Sequence, residues 1–251
     1  MGLASAFYFD AVAPVVDDVC PGVAYSAARI GRGSEVLGFD DAVSRDHDWG
    51  PRLELFFGPM DRDEFGSRLT GELAARLPHT FEGYSTSFGV ASDGVDVLVD
   101  RADGEPVAHR VEVHEIGAWC DTVLGFDPRH GVGWFDWLAT SSHRLAEVTA
   151  GAVFHDGLGD LTRLRAALAY YPHDVWLFIL ASQWHRISQE EAFVARCAQV
   201  GDELGATVIA GRLVRDLMRL CLMMSRRYVP YSKWLGTAFG RSGAAAVLTP
   251  H

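Results

Sequence analysis

The sequence predicts an α+β fold, with strands confined to an N-terminal half and an all-helical C-terminal half. Three observations predict it. Period-two and short buried-strand patterns occur before about residue 130, helical periods dominate after it, and no internal repeat or low-complexity linker separates the two halves. The expected division is therefore 1–130 and 131–251, with the helical part closing a cleft that is the natural position for a ligand.

Residues 3–20 read as a helix, with Phe7, Val12 and Val15 apolar and acids between them, kinked or interrupted by Pro14. The small apolar run 24–30 reads as a buried strand that Gly31 and Gly33 end. LELFF, residues 53–57, is the next strand. Residues 62–77 form an amphipathic helix, with Phe65, Leu69, Leu73 and Leu77 at a spacing of four. GVDVLVD (94–100) and HRVEVHEI (109–116) alternate with period two around the turn signal Asp103-Gly104, which predicts a hairpin. Helical periods then run over 134–149, 161–170, 175–200 and 204–227, with strands finished. Asp202 is read as a helix N-cap, and Trp176 and Trp184 as one face packing the helical core.

A chain of 251 residues with 49% hydrophobic content can bury its own core, and a net charge of −11 argues against long nucleic acid as a partner. No apolar run approaches the roughly 20 residues that cross a bilayer, and no basic segment precedes the first apolar residues. Those features predict a cytoplasmic protein without a membrane partner, and they set no oligomeric state. Cys20, Cys120, Cys197 and Cys221 lie far apart without a CxxC pair, so they read as reduced core residues.

Chemistry concentrates in GRGSEVLGFDDAVSRDHDWGPRLELFF, residues 31–57. In a strand, residues i and i+2 share a face about 6.6 to 7 Å apart, so Asp46 and Asp48 would project together. Two carboxylates approaching to about 4 Å repel by about 4 kcal/mol at an effective dielectric near 20, a cost that a divalent cation removes. Gly33-Ser34, separated from Asp46 by eleven residues, can approach phosphate closely through a backbone without Cβ and a donating hydroxyl. A third acid on a neighbouring strand would complete a site for two Mg²⁺ or Mn²⁺ ions. Glu112, on the polar face shared by Arg110 and His114, is favoured, with Asp96 and Asp100 as competitors.

Farther along, RRYVPYSKWLGTAF surrounds Lys233, the only lysine, with Tyr228, Tyr231, Trp234 and Phe239. A compact ammonium there could reach the β/γ-phosphates of a nucleotide. Arg212, Arg215 and Arg219 recur on one helix face, either as a solvated stripe or, turned to the cleft, as counter-charge for a triphosphate.

Together these residues resemble the signature of the polymerase-beta-like nucleotidyltransferase superfamily: a Gly-Ser turn, a spacer, an acid-x-acid strand and a later third acid. GFDDAVSRDHDWGPRLELFF, VGDELGATVIAGRLVRDLMRLC and RRYVPYSKWLGTAF further resemble the bacterial nucleotidyltransferase-like proteins grouped as domain of unknown function 4037, over most of residues 20–240. The resemblance implies a small mixed sheet followed by a helical domain. It also implies Mg²⁺-dependent transfer of a nucleoside monophosphate from a nucleoside triphosphate to a small-molecule acceptor. Ser34 would contact the triphosphate, Asp46 and Asp48 would hold metal, and Glu112 would deprotonate or orient the acceptor hydroxyl. Arg32 stands where the pattern has an apolar residue, and Trp49-Gly50-Pro51 interrupts the strand directly after the acids.

Two other readings compete. A non-catalytic nucleotide sensor or antitoxin-like protein could keep this fold. His47-Asp48 suggests a metallophosphohydrolase, but such ligands sit on helices, and Trp49-Gly50-Pro51 prevents helix here.

Overall fold

The computed structural model describes residues 1–41, 49–92, 94–102 and 104–248. It has two compact units: Met1–Val132 with Glu147–Leu168, and Gly133–Ala146 with Ala169–His251. The class is α+β, with a small mixed sheet in the first unit and helices in the second.

The chain opens with α1 (Gly2–Phe7), a π-helical turn (Tyr8–Val12) and α2 (Ala13–Val19). Pro14 lies in the first turn of α2, where its missing N–H costs little, and the preceding turn widens to accommodate it. Next come β1 (Tyr25–Arg29), β2 (Arg52–Phe57) and α3 (Pro59–Arg76), matching the sequence reading closely. The short strands β3 (Thr80–Phe81), β4 (Tyr84–Ser85), β5 (Phe88–Val90) and β6 (Asp96–Leu98) follow, then β7 (Arg110–Glu115), which runs straight into α4 (Ile116–Leu124).

The expected hairpin between 94–100 and 109–116 does not form. β6 pairs instead with β5, across a turn closed by Ala91 N to Val95 O at 2.8 Å. That closure needs far fewer residues than the one joining β6 to β7, and Gly89 leaves the space into which Val99 packs. β7 is thereby released to run parallel to β2, with Leu53 opposite Val111 and Leu55 opposite Val113.

The chain then passes through α5 (Trp134–Ala139) and α6 (Ser142–Thr149), two helices where the sequence read one. It returns to the first unit as β8 (Ala152–Asp156) and α7 (Asp160–Ala167). β8 corrects the expectation that strands end by residue 130, because it pairs antiparallel with β1 and gives the sheet order β7-β2-β1-β8. The helical part is accordingly not the continuous segment 131–251. Leu53, Leu55 and Phe57 of β2 enter one buried cluster with Phe7, Val12, Val16, Leu69 and Leu73. Strand periodicity sends Arg52, Glu54 and Phe56 to the other face, alongside Arg110, Glu112 and His114 of β7.

Asp156 ties β8 into this unit. Its carboxylate accepts from Ser26 Oγ at 2.6 Å, Thr162 N at 2.8 Å and Thr162 Oγ1 at 2.6 Å. Burial raises its pKa, but these donors outweigh burial and hold the carboxyl below its ordinary value. A depressed folded-state pKa means that the stabilisation is full above about pH 4 and is lost as pH falls through the folded value. Asp156→Asn is expected to cost about 1–3 kcal/mol at neutral pH and to flatten the acid limb of a stability-versus-pH curve measured by denaturant melts.

The second unit is built on α8 (His173–Gln199) and α9 (Glu203–Met224), followed by α10 (Ser232–Gly240) and α11 (Ala245–Leu248). Asp202 caps α9 as expected, accepting from Gly205 N at 2.8 Å. Trp176 is anchored through Nε1 to Met223 O at 2.9 Å, whereas Trp184 is 53% exposed and does not pack the helical core. Cys20 and Cys120 are buried, and Cys197 and Cys221 only partly so. Among the described residues no helix is long and apolar enough to cross a membrane.

Candidate functional site

β1 ends at Arg29, and the chain turns through Gly31–Ser34 at the end of the sheet where β2 begins. Gly33 has φ +139°, and a Cβ there would lie 2.4 Å from Glu35 Oε2, 2.6 Å from Arg29 Nη2 and 2.8 Å from Arg52 Nη2. The Gly-Ser turn therefore rests directly on a cluster of charged side chains, and only glycine fits. Ser34 is half-buried, and its carbonyl accepts from Phe39 N at 2.9 Å.

Arg29, 1% exposed, organises that cluster. It donates to Glu35 Oε1 at 2.7 Å, Glu54 Oε1 at 2.9 Å, Ile30 O at 2.9 Å and Arg32 O. Arg52 donates to the same Glu35 Oε1 at 3.2 Å and to Arg32 O at 3.3 Å, so two guanidiniums clamp the carbonyl just before Gly33. Burial raises the Glu35 carboxyl, but Arg29 and Arg52 outweigh that and keep it below its ordinary pKa. Glu35 Oε2 is buried without a hydrogen-bond partner among the described residues. Glu54 receives Ile30 N at 3.1 Å, and its burial pushes the carboxyl up against the pull of Arg29.

Glu112 lies opposite Glu54 on the parallel strand β7, and its charge reaches both Glu54 and Arg29. Its side chain is 48% exposed and is bracketed by His114 Nε2 at 3.1 Å and Arg110 Nη1 at 3.6 Å. The hydrogen bond from His114 holds its pKa down despite burial, with Arg110 adding to the effect. Asp96 is ion-paired with Arg110 on the separate β5–β6 ribbon, and Asp100 follows that ribbon in an exposed loop. Asp46 and Asp48 lie outside the described residues, where the chain resumes at Trp49 just ahead of β2. Among the described residues, no group of three or more His, Cys, Asp or Glu side chains could hold a metal.

Arg215, Tyr231 and Lys233 all belong to the second unit. Arg215 and Tyr231 line one cavity of about 340 Å³ with Arg186, Asp216, Arg219 and Ser232. Lys233 is not in its wall. It is exposed, with its ammonium 5.7 Å from the centre of the Trp234 ring. Arg212 leaves the stripe to pair with Glu190.

Residues 137–235 match the model of a domain of unknown function, DUF4037. Resemblance to that family is thus shown over this span, which contains Arg215, Tyr231 and Lys233. Gly33, Ser34, Asp46, Asp48 and Glu112 precede it. No match to a curated protein or to a solved structure was found. Within the DUF4037 span, the arginine-lined cavity spans α8, α9 and the start of α10.

Arg29, Glu35, Arg52, Glu54 and Arg186 were not singled out from sequence. Glu54 carried a usable signal, since a lone acid inside LELFF must be either solvated or paired. Arg29 follows the small apolar run YSAA and carried the same signal.

Proposed function

We propose that this chain is a metal-dependent nucleotidyltransferase, moving a nucleoside monophosphate from a nucleoside triphosphate, ATP first among them, to a hydroxyl or amine of a small molecule in the cytoplasm. One observation carries the reading. The Gly33-Ser34 turn, the start of β2 that follows Asp46-His47-Asp48 in sequence, and Glu112 on the adjacent parallel strand all belong to one end of one sheet. The donor chemistry of Glu112 suits a hard dication, because it is ionised, half-exposed and on the strand beside β2. Asp46, Asp48 and Glu112 would hold Mg²⁺, which when bound would neutralise charge on the transferring phosphate. The Gly33-Ser34 backbone and hydroxyl would orient the triphosphate. In the balanced step the acceptor oxygen or nitrogen bonds to the α-phosphorus, the bond to the bridging oxygen breaks, and pyrophosphate leaves. The acceptor's proton passes to Glu112 or to solvent water. Glu112, whose carboxyl the hydrogen bond from His114 holds below its ordinary pKa, would orient or deprotonate the acceptor.

The test is a thermal melt with Mg²⁺ and each nucleoside triphosphate, paired with a pyrophosphate-release assay over a pool of small acceptors. Mg²⁺ should add to the stabilisation that each nucleoside triphosphate gives alone, the added part reaching about 2.7 kcal/mol at a hundredfold excess over Kd, and Asp48→Asn should abolish that metal-dependent part. A stabilisation by nucleotide that Mg²⁺ does not increase, or a Mg²⁺-dependent increase that persists in Asp48→Asn, rejects the metal site. Binding without pyrophosphate from any acceptor favours a nucleotide sensor.

A further inference from the structure

We infer that the second unit contains a pocket for the phosphate group of a small phosphomonoester, built from Arg186 on α8, Arg215 and Arg219 on α9, and the start of α10. These side chains converge on one cavity of about 340 Å³, within the size range of small-molecule sites and larger than a lone phosphate needs. Two of the three guanidiniums, Arg186 and Arg215, bond to one carboxylate, Asp216, which is 2% exposed.

Asp216 accepts from Arg186 Nε at 2.7 Å and from Arg215 Nε at 3.3 Å and Nη2 at 3.2 Å. Those bonds engage Arg215 by its Nε–Nη2 edge and Arg186 through Nε alone, leaving other N–H donors to spare. Burial raises the Asp216 carboxyl, yet Arg186 and Arg215 outweigh burial and keep it ionised. Arg219 has neither hydrogen bond nor ion pair among the described residues. Burial, and then the charges of Arg215 and Arg186 working against Asp216, push its guanidinium pKa down. Uncompensated positive charge thus collects in a concavity of a chain whose net charge is −11.

The same helix supplies an internal contrast. Arg212, one turn away, is satisfied by Glu190 outside the cavity, so the stripe is not uniformly solvated. α10 starts at Ser232 with no side-chain cap; Trp234 N donates to Tyr231 O at 3.1 Å, so the first-turn amides offered to an anion beside the cavity are those of Ser232 and Lys233. Paired guanidinium forks and a helix start match the oxygens of a phosphate dianion, while Pro230 and Leu235 offer an apolar wall to its carbon part. The pocket lies wholly in the second unit and requires neither Asp48 nor a divalent cation.

Calorimetric titration of the full chain in chelator tests this, first with inorganic phosphate, then with AMP and with glycerol phosphate. Saturable, metal-independent binding is expected. Arg219→Gln and Arg215→Gln should each weaken it about tenfold or more, while Arg212→Gln changes it less than about twofold. Asp48→Asn should leave it unchanged, which separates failure here from failure of the nucleotidyltransferase reading. Tighter AMP assigns the phosphate to a nucleotide, and tighter glycerol phosphate assigns it to a non-nucleotide metabolite; either result supports the pocket. Absence of saturable heat with all three at millimolar concentration overturns it, as does an equal loss in Arg212→Gln. Should Arg219→Gln fail to fold, Arg186→Gln carries the test, and full affinity in that variant overturns the pocket.

Discussion

Arg29→Met is expected to destabilise the first unit by about 3–5 kcal/mol and to lower its melting temperature by roughly 6–20 °C. The guanidinium is the common partner of Glu35 and Glu54 and also binds the carbonyls of Ile30 and Arg32. Methionine fills most of the volume but leaves the buried Glu35 and the largely buried Glu54 with Arg52 as their remaining guanidinium and Ile30 N as the donor kept by Glu54. Removing one member of a buried ionic network strands the others, and that desolvation, rather than a lost contact, sets the magnitude. Arg29→Lys should recover little, because one ammonium cannot span acceptors arranged for a planar fork. The triple replacement Arg29→Met, Glu35→Leu, Glu54→Leu should regain much of the loss. Denaturant melts showing less than about 1 kcal/mol for Arg29→Met would place the cluster in solvent rather than in the core.

Gly151→Ala is expected to be comparably damaging, at about 2–5 kcal/mol. Its φ of +70° lies in the left-handed region, and the added Cβ would sit 2.0 Å from the backbone oxygen of Arg29. A side-chain neighbour could rotate aside, but a strand carbonyl cannot. The residue also donates from its N–H to Val36 O at 3.0 Å, so relieving the clash would detach β8 from the turn that follows β1. Refolding yield and melting temperature of the Ala variant, set against Gly157→Ala, would check this. A Cβ at Gly157 meets the Tyr25 oxygen at 2.7 Å, but Gly157 lies outside the left-handed region, so the milder clash should cost less.

Those two sites mark where the fold was legible and where it was not. Spacing-four leucines gave α3, LELFF gave β2, and Pro14 gave the break in the first helix, because each is a local signal read within one or two turns. β8 escaped notice because AVFHD is five residues among helical patterns, and only its partner β1, distant in sequence, makes it a strand. The hairpin reading failed for the opposite reason. Alternation in 94–100 and 109–116 correctly marked extended chain, but alternation does not choose a partner, and β6 pairs with the nearer β5 while β7 pairs with β2. At the site, Gly33 was identifiable from its neighbours, whereas the charge cluster beneath it combines residues from β1, the turn and β2 that no linear spacing connects. Arg215 and Tyr231 were picked out separately, and the cavity they share also includes Arg186 from another helix.

The return of β8 to the sheet sets a timetable for biosynthesis. β1 leaves the ribosome early, but its neighbour on one side is specified roughly 120 residues later, an interval of roughly 6–25 s at 5–20 residues per second. Throughout that interval a nascent strand presents unpaired amides and carbonyls, with Ser26 lacking the aspartate that later holds it. Chaperone occupancy of the emerging chain should be concentrated in that window, and slowing translation upstream of residue 152 would prolong it.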